Sequence, residues 1–424
     1  MEDTITTTSQ LLLREGITID EFETSSKWKD FILTVNNRSF HINEDLYLLI
    51  SLINGRSSTK EISEKYSELM NKKYTELDIQ NIVEQFLAPY GIITDNLIRD
   101  SHESKKKTYL RFRFQLIPSD ILKVFTQYLG FLFDKPIFFL LNGLILILHF
   151  SIFFSVGYGN VQEIMHAPET FVFAMVVTLL SVLIHEFGHA SATNHYNVDP
   201  GAIGFGVYLY FPVFFSDVSQ IWRINKFQRA VVDYAGMYFQ YLFNLVLFCV
   251  FLITNTKIFF YSIIFIFLQS LSNLNPFFRF DGYWLVTDLL GIPNLRKKVR
   301  DVVKYYRDII LRKKCSKPRF LESIDPKSKF FFIIYVLSSQ FFFLYIIISL
   351  SIFMFPMLQT YPEFLIHSYS QIRAAFSLSN YGDLGKSFYQ VLMRSIPLFF
   401  IFFIVYKISL KLFQGLRKVI RKNS

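Results

Sequence analysis

The sequence predicts a mainly α membrane protein with about six transmembrane helices, preceded by a small soluble α+β domain. Three observations support this fold class. The 424-residue chain is 52% hydrophobic and only 18% charged, whereas soluble domains carry about 25% charged residues. Its uncharged runs reach the length of about 20 residues that a helix needs to cross the hydrocarbon. Residues 1–100 contain no such run and are acidic, with 10 Lys and Arg against 17 Asp and Glu.

Residues 1–100 are predicted to fold as the soluble domain. The strand-like runs Phe31–Val35 and Arg38–Ile42 flank Asn36-Asn37, a pair suited to a hairpin turn. Three helices follow, each introduced by a capping residue or a capping box: Glu44–Ile53 after Asn43, a helix from Ser58 to near Met70, and a helix from Thr75 to Ala88. A hairpin followed by three short helices is a winged-helix outline.

Six predominantly apolar segments have spanning length: Pro136–Val156, Phe171–Ala192, Tyr234–Thr256, Ile258–Phe277, Phe330–Phe355 and Phe388–Leu410. Arg394 and Lys407 shorten the uncharged centre of the last segment, so five spans plus a surface helix is the alternative. Ser119–Phe133 is predicted to be an amphipathic helix at the membrane surface.

The charges predict the orientation and the remaining boundaries. A basic linker with the surface helix occupies residues 101–135, a core of four membrane helices 136–290, and a basic loop with a net charge of +9 residues 291–329. Two further helices and a basic tail complete residues 330–424. Basic segments beside spans mark the cytoplasmic side and anionic lipid, so we expect a multi-pass protein of the cytoplasmic membrane with both termini inside. We expect no nucleic-acid partner and no cleaved signal peptide.

The most informative residues are His185-Glu186-Phe187-Gly188-His189 at the end of the second predicted span. Histidines at i and i+4 share one helix face and can both bind zinc, while the glutamate between them can reach a water at the metal. Ionisable groups inside a span are costly and usually functional. The two cysteines, Cys249 and Cys315, cannot form a cysteine zinc site.

A third ligand is needed, and the chain offers several. His195 follows at metzincin-like spacing, but Ala192 stands where that pattern has its turn glycine. Asp217 and Asp233 are more typical of solvated or helix-starting carboxylates. Asp281 is the better candidate because it follows the fourth span, which returns to the side of the membrane where the second span ends.

The pairing of H-E-x-x-H with Asn275-Pro276 and Asp281-Gly282, an N-P-x-x-x-x-D-G pattern, resembles the site-2 protease family of membrane zinc metallopeptidases. The resemblance covers roughly residues 136–290. It implies that His185, His189 and Asp281 bind zinc, that Glu186 is the general base, and that Asn275 and Pro276 lie near the substrate backbone. Many relatives have A-G-P-x-x-N between the two motifs. Here the segment from Ala235 ends in Gln240 instead.

By its layout the soluble domain resembles the PqqD-like domain, which binds a leader peptide as an added strand. Its net charge of −7 argues against the DNA binding common among winged helices. Together the two resemblances match the putative peptide zinc metalloprotease branch. They imply a zinc endopeptidase that matures a small ribosomally made peptide beside modification or export partners. A regulatory protease cutting a membrane-anchored signalling protein and a non-catalytic peptide-binding or immunity protein are the alternatives.

One further segment bears on the substrate. Residues 201–211 are rich in glycine and β-formers and too short to span. Either a membrane-associated strand that clamps an extended substrate or an interfacial loop fits this composition.

Overall fold

The computed structural model describes residues 11–35, 38–94, 110–155, 168–208, 211–378 and 381–423. The chain divides into two compact units, Met1–Ile334 and Tyr335–Ser424. Helices dominate both units, and all strands among the described residues belong to the first. The predicted mainly α class is confirmed at this level.

The first unit begins with a small α+β domain. Its elements in chain order are β1 (Leu12–Leu13), β2 (Thr18–Phe22), β3 (Asp30–Val35), β4 (Arg38–Asn43), α1 (Glu44–Leu52), α2 (Thr59–Leu69), α3 (Glu76–Ile82) and β5 (Ile93–Thr94). An antiparallel sheet has the order β2-β3-β4, and β1 pairs with β5. The predicted hairpin is confirmed, with Val35 opposite Arg38. Its Asn36-Asn37 turn lies outside the described residues.

The three predicted helices of this domain start where their capping residues lie. Asn43 accepts a hydrogen bond from the backbone of α1, and Ser58 and Thr75 form complete capping boxes on α2 and α3. The last helix differs from its prediction, because α3 gives way to a π-helical turn at Val83 and a short 3-10 turn that contains Pro89.

Residues 101–135 contain more than a linker and a surface helix. The predicted helix is present as α4 (Ser119–Leu129), but β6 (Leu110–Ile117) precedes it. β6 pairs with β7 (Ile203–Tyr208), which pairs with β8 (Phe211–Ser216), so the sheet has the order β6-β7-β8. Of the two alternatives for residues 201–211, a strand or a loop, the structure has a strand over Ile203–Tyr208. β6 was missed because its pairing partner lies about ninety residues further along the chain.

The helices α5 (Lys135–Ser155), α6 (Pro168–His195), α7 (Lys226–Thr254) and α8 (Lys257–Asn273) form the apolar core of the first unit. Within the described part of the chain, four helices are long and apolar enough to cross a membrane: α5, α6, α7 and the later α12 (Pro326–Ser377). α8 is shorter than its predicted span, because it ends at Asn273 and turns before Pro276.

The predicted basic loop 291–329 is largely helical. Three helices follow the core, α9 (Asp281–Leu290), α10 (Leu295–Ile310) and α11 (Phe320–Ser323), and the last two lie within this loop. The connection between the core and the last two predicted spans therefore contains helices that the sequence analysis did not predict. Hydrophobic residues recur at helical spacing in α10, where Leu295, Val299 and Val302 are buried, but the surrounding Lys and Arg hide this pattern.

The N-terminal α+β domain is joined to the apolar helical core inside the first unit. The segment after β2 carries Ser25, whose backbone N–H donates to Gly291 O at 2.9 Å and whose O accepts from Asp325 N at 3.0 Å. Ser26 and Ile324 form an antiparallel β-bridge. The two parts of the first unit are thus connected by backbone hydrogen bonds as well as by side chains.

The second unit consists of the continuation of α12 and of α13 (Tyr381–Asn423), which contains the sixth predicted span. Inside it, Tyr361 Oη and Ser395 Oγ lie 2.7 Å apart, and Arg394 donates to Thr360 Oγ1 at 2.6 Å. The Arg394 guanidinium also lies over the Phe364 ring. Polar contacts and cation–π attraction therefore join its two helices.

Candidate metal centre

Three candidate ligands converge in the helical core of the first unit. His185 and His189 lie one turn apart on α6, and their Nε2 atoms are 3.0 Å apart. Asp281 begins α9 and places Oδ2 2.9 Å from His185 Nε2 and Oδ1 3.9 Å from His189 Nε2. Each residue thus offers a ligand atom within 4.8 Å of the others, and the group could hold a metal ion.

The opposite nitrogen of each ring is held by an acceptor. His189 Nδ1 lies 2.7 Å from the backbone O of Val232, and His185 Nδ1 lies 3.0 Å from Oε1 of Gln240. Oxygen atoms of this kind only accept, so Nδ1 carries a proton in both rings, and Nε2 is the nitrogen of each ring that faces the other ligands. Hydrogen bonds behind metal-binding histidines have this orienting effect.

Gln240 is completely buried and uses both ends of its amide. Besides the His185 ring, Oε1 accepts from Ser270 Oγ at 2.9 Å. Nε2 donates to Ser181 Oγ at 3.1 Å and to Gln269 Oε1 at 2.7 Å. The departure from the family pattern at this position therefore supplies a fully bonded group behind one ligand. The sequence signal for this role was a polar residue inside an apolar span.

Two glycines allow the helices to approach at the ligands. A Cβ on Gly236 of α7 would lie 2.5 Å from Nε2 of both His185 and His189. A Cβ on Gly188 of α6 would lie 2.3 Å from the backbone O of Ala235. Gly188 lets α7 come close enough for its backbone to reach His189. Gly236 leaves the space beside the two rings open.

A compact turn positions Asp281. The Asn275 side chain accepts from the backbone N–H of Phe277 at 2.9 Å, directly after α8 ends. The chain then folds back so closely that a Cβ on Gly282 would lie 2.1 Å from Leu274 O. The N-P-x-x-x-x-D-G pattern thus has a geometric basis. Asn275 supports the turn, and its expected contact with substrate, like that of Pro276, stays a prediction.

Glu186 lies beside the ligands on a cavity of about 380 Å³. The backbone N–H of Ser216, the last residue of β8, hydrogen bonds to its carboxylate. His189, Asp281 and the β8 residues Phe214 and Phe215 also line this cavity. The predicted base and two of the predicted ligands therefore share one space with a β-strand.

The other candidate ligands have different surroundings. His195 packs with its ring centroid 5.8 Å from that of Phe133, at the far end of α6. Asp217 lines the cavity, but it accepts a hydrogen bond from the Ser219 hydroxyl. Neither joins the described group of three ligands. This agrees with the preference for Asp281 over both.

Asp233 belongs to a second polar cluster on the same cavity. It hydrogen bonds to Asp288, and Asp288 Oδ1 accepts from Arg229 Nε at 2.7 Å. Arg229 is 1% exposed. Burial raises the pKa of Asp288, while the Arg229 guanidinium opposes the shift. Reasoning from sequence missed Arg229 and Asp288. The signal for Arg229 was its charge just before the third predicted span, where ionisable groups are usually functional.

The donor set fits a zinc ion. Two imidazole nitrogens and one carboxylate are ligands that zinc takes, and tetrahedral zinc with bonds of about 2.0–2.1 Å places its ligand atoms about 3.3 Å apart. The observed separations bracket that value. Both Nε2 atoms and an Asp281 oxygen converge on one point, and Gly236 leaves the room that a cation there would need.

Comparisons with protein-family models, curated proteins and solved structures found no match to this chain.

Proposed function

We propose that this protein is a membrane-embedded zinc endopeptidase of the site-2 protease kind that processes a small ribosomally synthesised peptide. The observation that carries the proposal is the convergence of His185, His189 and Asp281 with Glu186 on one cavity, in helices apolar enough for a bilayer. Donor chemistry, the hydrogen bonds behind both histidines and the space left by Gly236 all support it.

Zinc, when bound by the three ligands, supplies Lewis acidity that activates water and polarises a peptide carbonyl. Glu186 accepts the proton of the attacking water and delivers it to the leaving amine. The Ser216 N–H at its carboxylate holds Glu186 in place for both transfers. Peptide hydrolysis consumes one water and needs no covalent intermediate with the protein.

The substrate backbone lies along β8 in this account. β8 is an edge strand of its sheet among the described residues, so its outer backbone groups are open to another strand. An extended peptide added there has its carbonyl groups free of helical hydrogen bonds and directed toward Glu186. Asn275 and Pro276 remain the predicted additional substrate contacts.

The proposed setting is the cytoplasmic membrane, with both termini in the cytoplasm and the basic segments against anionic lipid. The soluble domain binds the leader segment of the substrate, and peptide-modification or export proteins are the expected partners. The acidity of this domain supports peptide rather than nucleic-acid binding.

Comparative mass spectrometry of cell-associated and secreted peptides tests the function. Strains expressing the native chain are compared with strains expressing Glu186→Gln, a change that keeps size and leaves the ligands in place. We expect a short peptide to disappear and its longer precursor to accumulate. Identical peptide profiles at equal protein levels would refute peptide maturation, and accumulation of a single-span membrane protein would instead support the regulatory protease.

A further inference from the structure

A second cavity adjoins the one at the metal centre. This outer cavity has a volume of about 320 Å³, and the inner cavity beside Glu186 has about 380 Å³. Three residues line both: Asp217, Ser219 and Trp222. The two cavities therefore lie on either side of the same three residues, and the inner one reaches the candidate ligands.

The soluble domain forms one wall of the outer cavity. Ile32 and Thr34 alternate on β3, and Ser39 lies opposite Thr34 on β4. They belong to the face of the sheet that turns away from the domain's own core, which contains Phe31 and Leu33. The membrane core supplies the other walls, so this cavity exists only while the two parts are joined.

Contacts around the junction fix the domain in this position. Asp20 on β2 forms an ion pair with Arg223 at 3.1 Å, and Phe22 packs against Trp222 with ring centroids 5.2 Å apart. Arg229 donates to the backbone O of Glu23 at 2.9 Å. β2 thus holds the soluble domain against the core and also contacts Trp222, which lines both cavities.

The shape favours an extended polypeptide as the occupant. β4 contributes Ser39 to the outer cavity and β8 contributes Phe214 to the inner one. Each is an edge strand of its sheet within the described residues, and edge strands bind extended chains through backbone hydrogen bonds. An edge strand therefore borders each cavity: β4 the outer one and β8 the inner one.

The charge of the inner cavity restricts the side chains of the occupant. Carboxylates outnumber cationic groups on its lining: Glu186, Asp217, Asp233, Asp281 and Asp288 against Arg229 and the imidazole of His189. Asp or Glu in the segment that passes the junction would be repelled.

We propose that the two cavities form one passage that holds a single extended, non-acidic peptide segment, with one part against the β3–β4 sheet and another at the metal centre. The passage deepens the proposed function and rests on it for the identity of the occupant as substrate. Recognition and cleavage then occur on the same chain at a separation fixed by the docked soluble domain.

Peptide selection on the full chain tests the passage without requiring cleavage. Random peptides of about twenty residues, long enough to extend over roughly 65 Å, are selected on the Glu186→Gln protein in lipid nanodiscs. Benzoylphenylalanine replaces Ser39, Trp222 or Phe214 in turn, and mass spectrometry identifies the peptide residue that each crosslinks. Leu69, exposed on α2, is the control position.

The expected result is that one selected peptide crosslinks at all three positions, in the order Ser39, Trp222, Phe214 along its sequence, and not at Leu69. Ser219→Trp should weaken its binding at least about tenfold, while Ser219→Ala leaves binding within about twofold. Replacing the Lys residues of the peptide by Glu should also weaken it.

Failure to select peptides, crosslinks at Ser39 alone, or equal binding by Ser219→Trp and Ser219→Ala would overturn the passage. Ordered crosslinks together with an absence of cleavage by the unsubstituted protein would leave the passage standing and reject the peptidase. The two failures are therefore distinguishable.

Discussion

Single residues that carry no catalytic chemistry decide the geometry of the metal centre. Position 236 requires glycine, because any Cβ there would lie 2.5 Å from the Nε2 atoms of both histidines. Gln240 fixes the proton of His185 on Nδ1. Ligand affinity therefore depends on residues outside the H-E-x-x-H motif.

Gly236→Ala is expected to lower zinc affinity at least about tenfold, since overpacking costs about 1–3 kcal/mol and the crowded atoms are the ligands themselves. Competition with a chromophoric chelator measures the affinity. Gly143→Ala is the matched control, because a Cβ there meets nothing within 4 Å. Equal affinities for the two variants would contradict the assigned role of Gly236.

Gln240→Leu should reduce zinc affinity by about 10–100-fold, the usual effect of losing a hydrogen bond behind a ligand. The change removes the acceptor of His185 Nδ1 and of the Ser270 hydroxyl in a buried site, at a cost of about 1–3 kcal/mol for each. The same chelator competition gives the readout. Gln240→Glu retains the acceptor for His185 and should recover part of the affinity, and no recovery would argue against an orienting role.

At the scale of residues, the sequence predicted which candidate ligands come together better than it predicted the residues that hydrogen bond to them. His185, Glu186 and His189 were placed together because motif spacing follows directly from helix geometry, and Asp281 was added because the fourth predicted span returns to the side where the second one ends. The role of Gln240 was not predicted, because one sequence does not reveal which groups face each other across two helices. Such contacts depend on helix packing, which side-chain periodicity alone does not determine.

Secondary-structure elements show the same division. Capping boxes gave the starts of α2 and α3, because the hydrogen bonds involved are local. β6 and α10 were missed, one because its partner strand is distant and the other because its charges resemble a basic loop. The predicted hairpin was correct because both strands and their turn are adjacent in sequence.

Arg229 connects α7, α9 and the soluble domain, so its loss should destabilise the whole first unit. Arg229→Met leaves Asp288 buried without its cation, a change that costs about 3–5 kcal/mol in comparable buried pairs. Thermal unfolding in detergent measures the effect. Arg223→Met removes a half-exposed ion pair between the same two parts and should cost at most about 1 kcal/mol. Similar losses in both variants would contradict this ranking.

The whole molecule combines an N-terminal α+β domain, an apolar helical core and a candidate metal centre whose proposed ligands come from α6 and α9. Zinc bound by both helices stabilises the folded state by mass action, by about 4 kcal/mol at a concentration one thousand times its dissociation constant. EDTA should therefore lower the unfolding temperature of the native protein and have no effect on Asp281→Ala. An unchanged melting curve for the native protein would show that no metal links these helices.

Metal analysis of the purified protein tests the central claim most directly. The account predicts about one zinc ion per chain in the native protein and in Glu186→Gln, since Glu186 is not a ligand, and loss of that zinc in His185→Ala, His189→Ala and Asp281→Ala. A native protein that binds no zinc under metal-replete conditions, or a His189→Ala protein that retains all of it, would contradict the account.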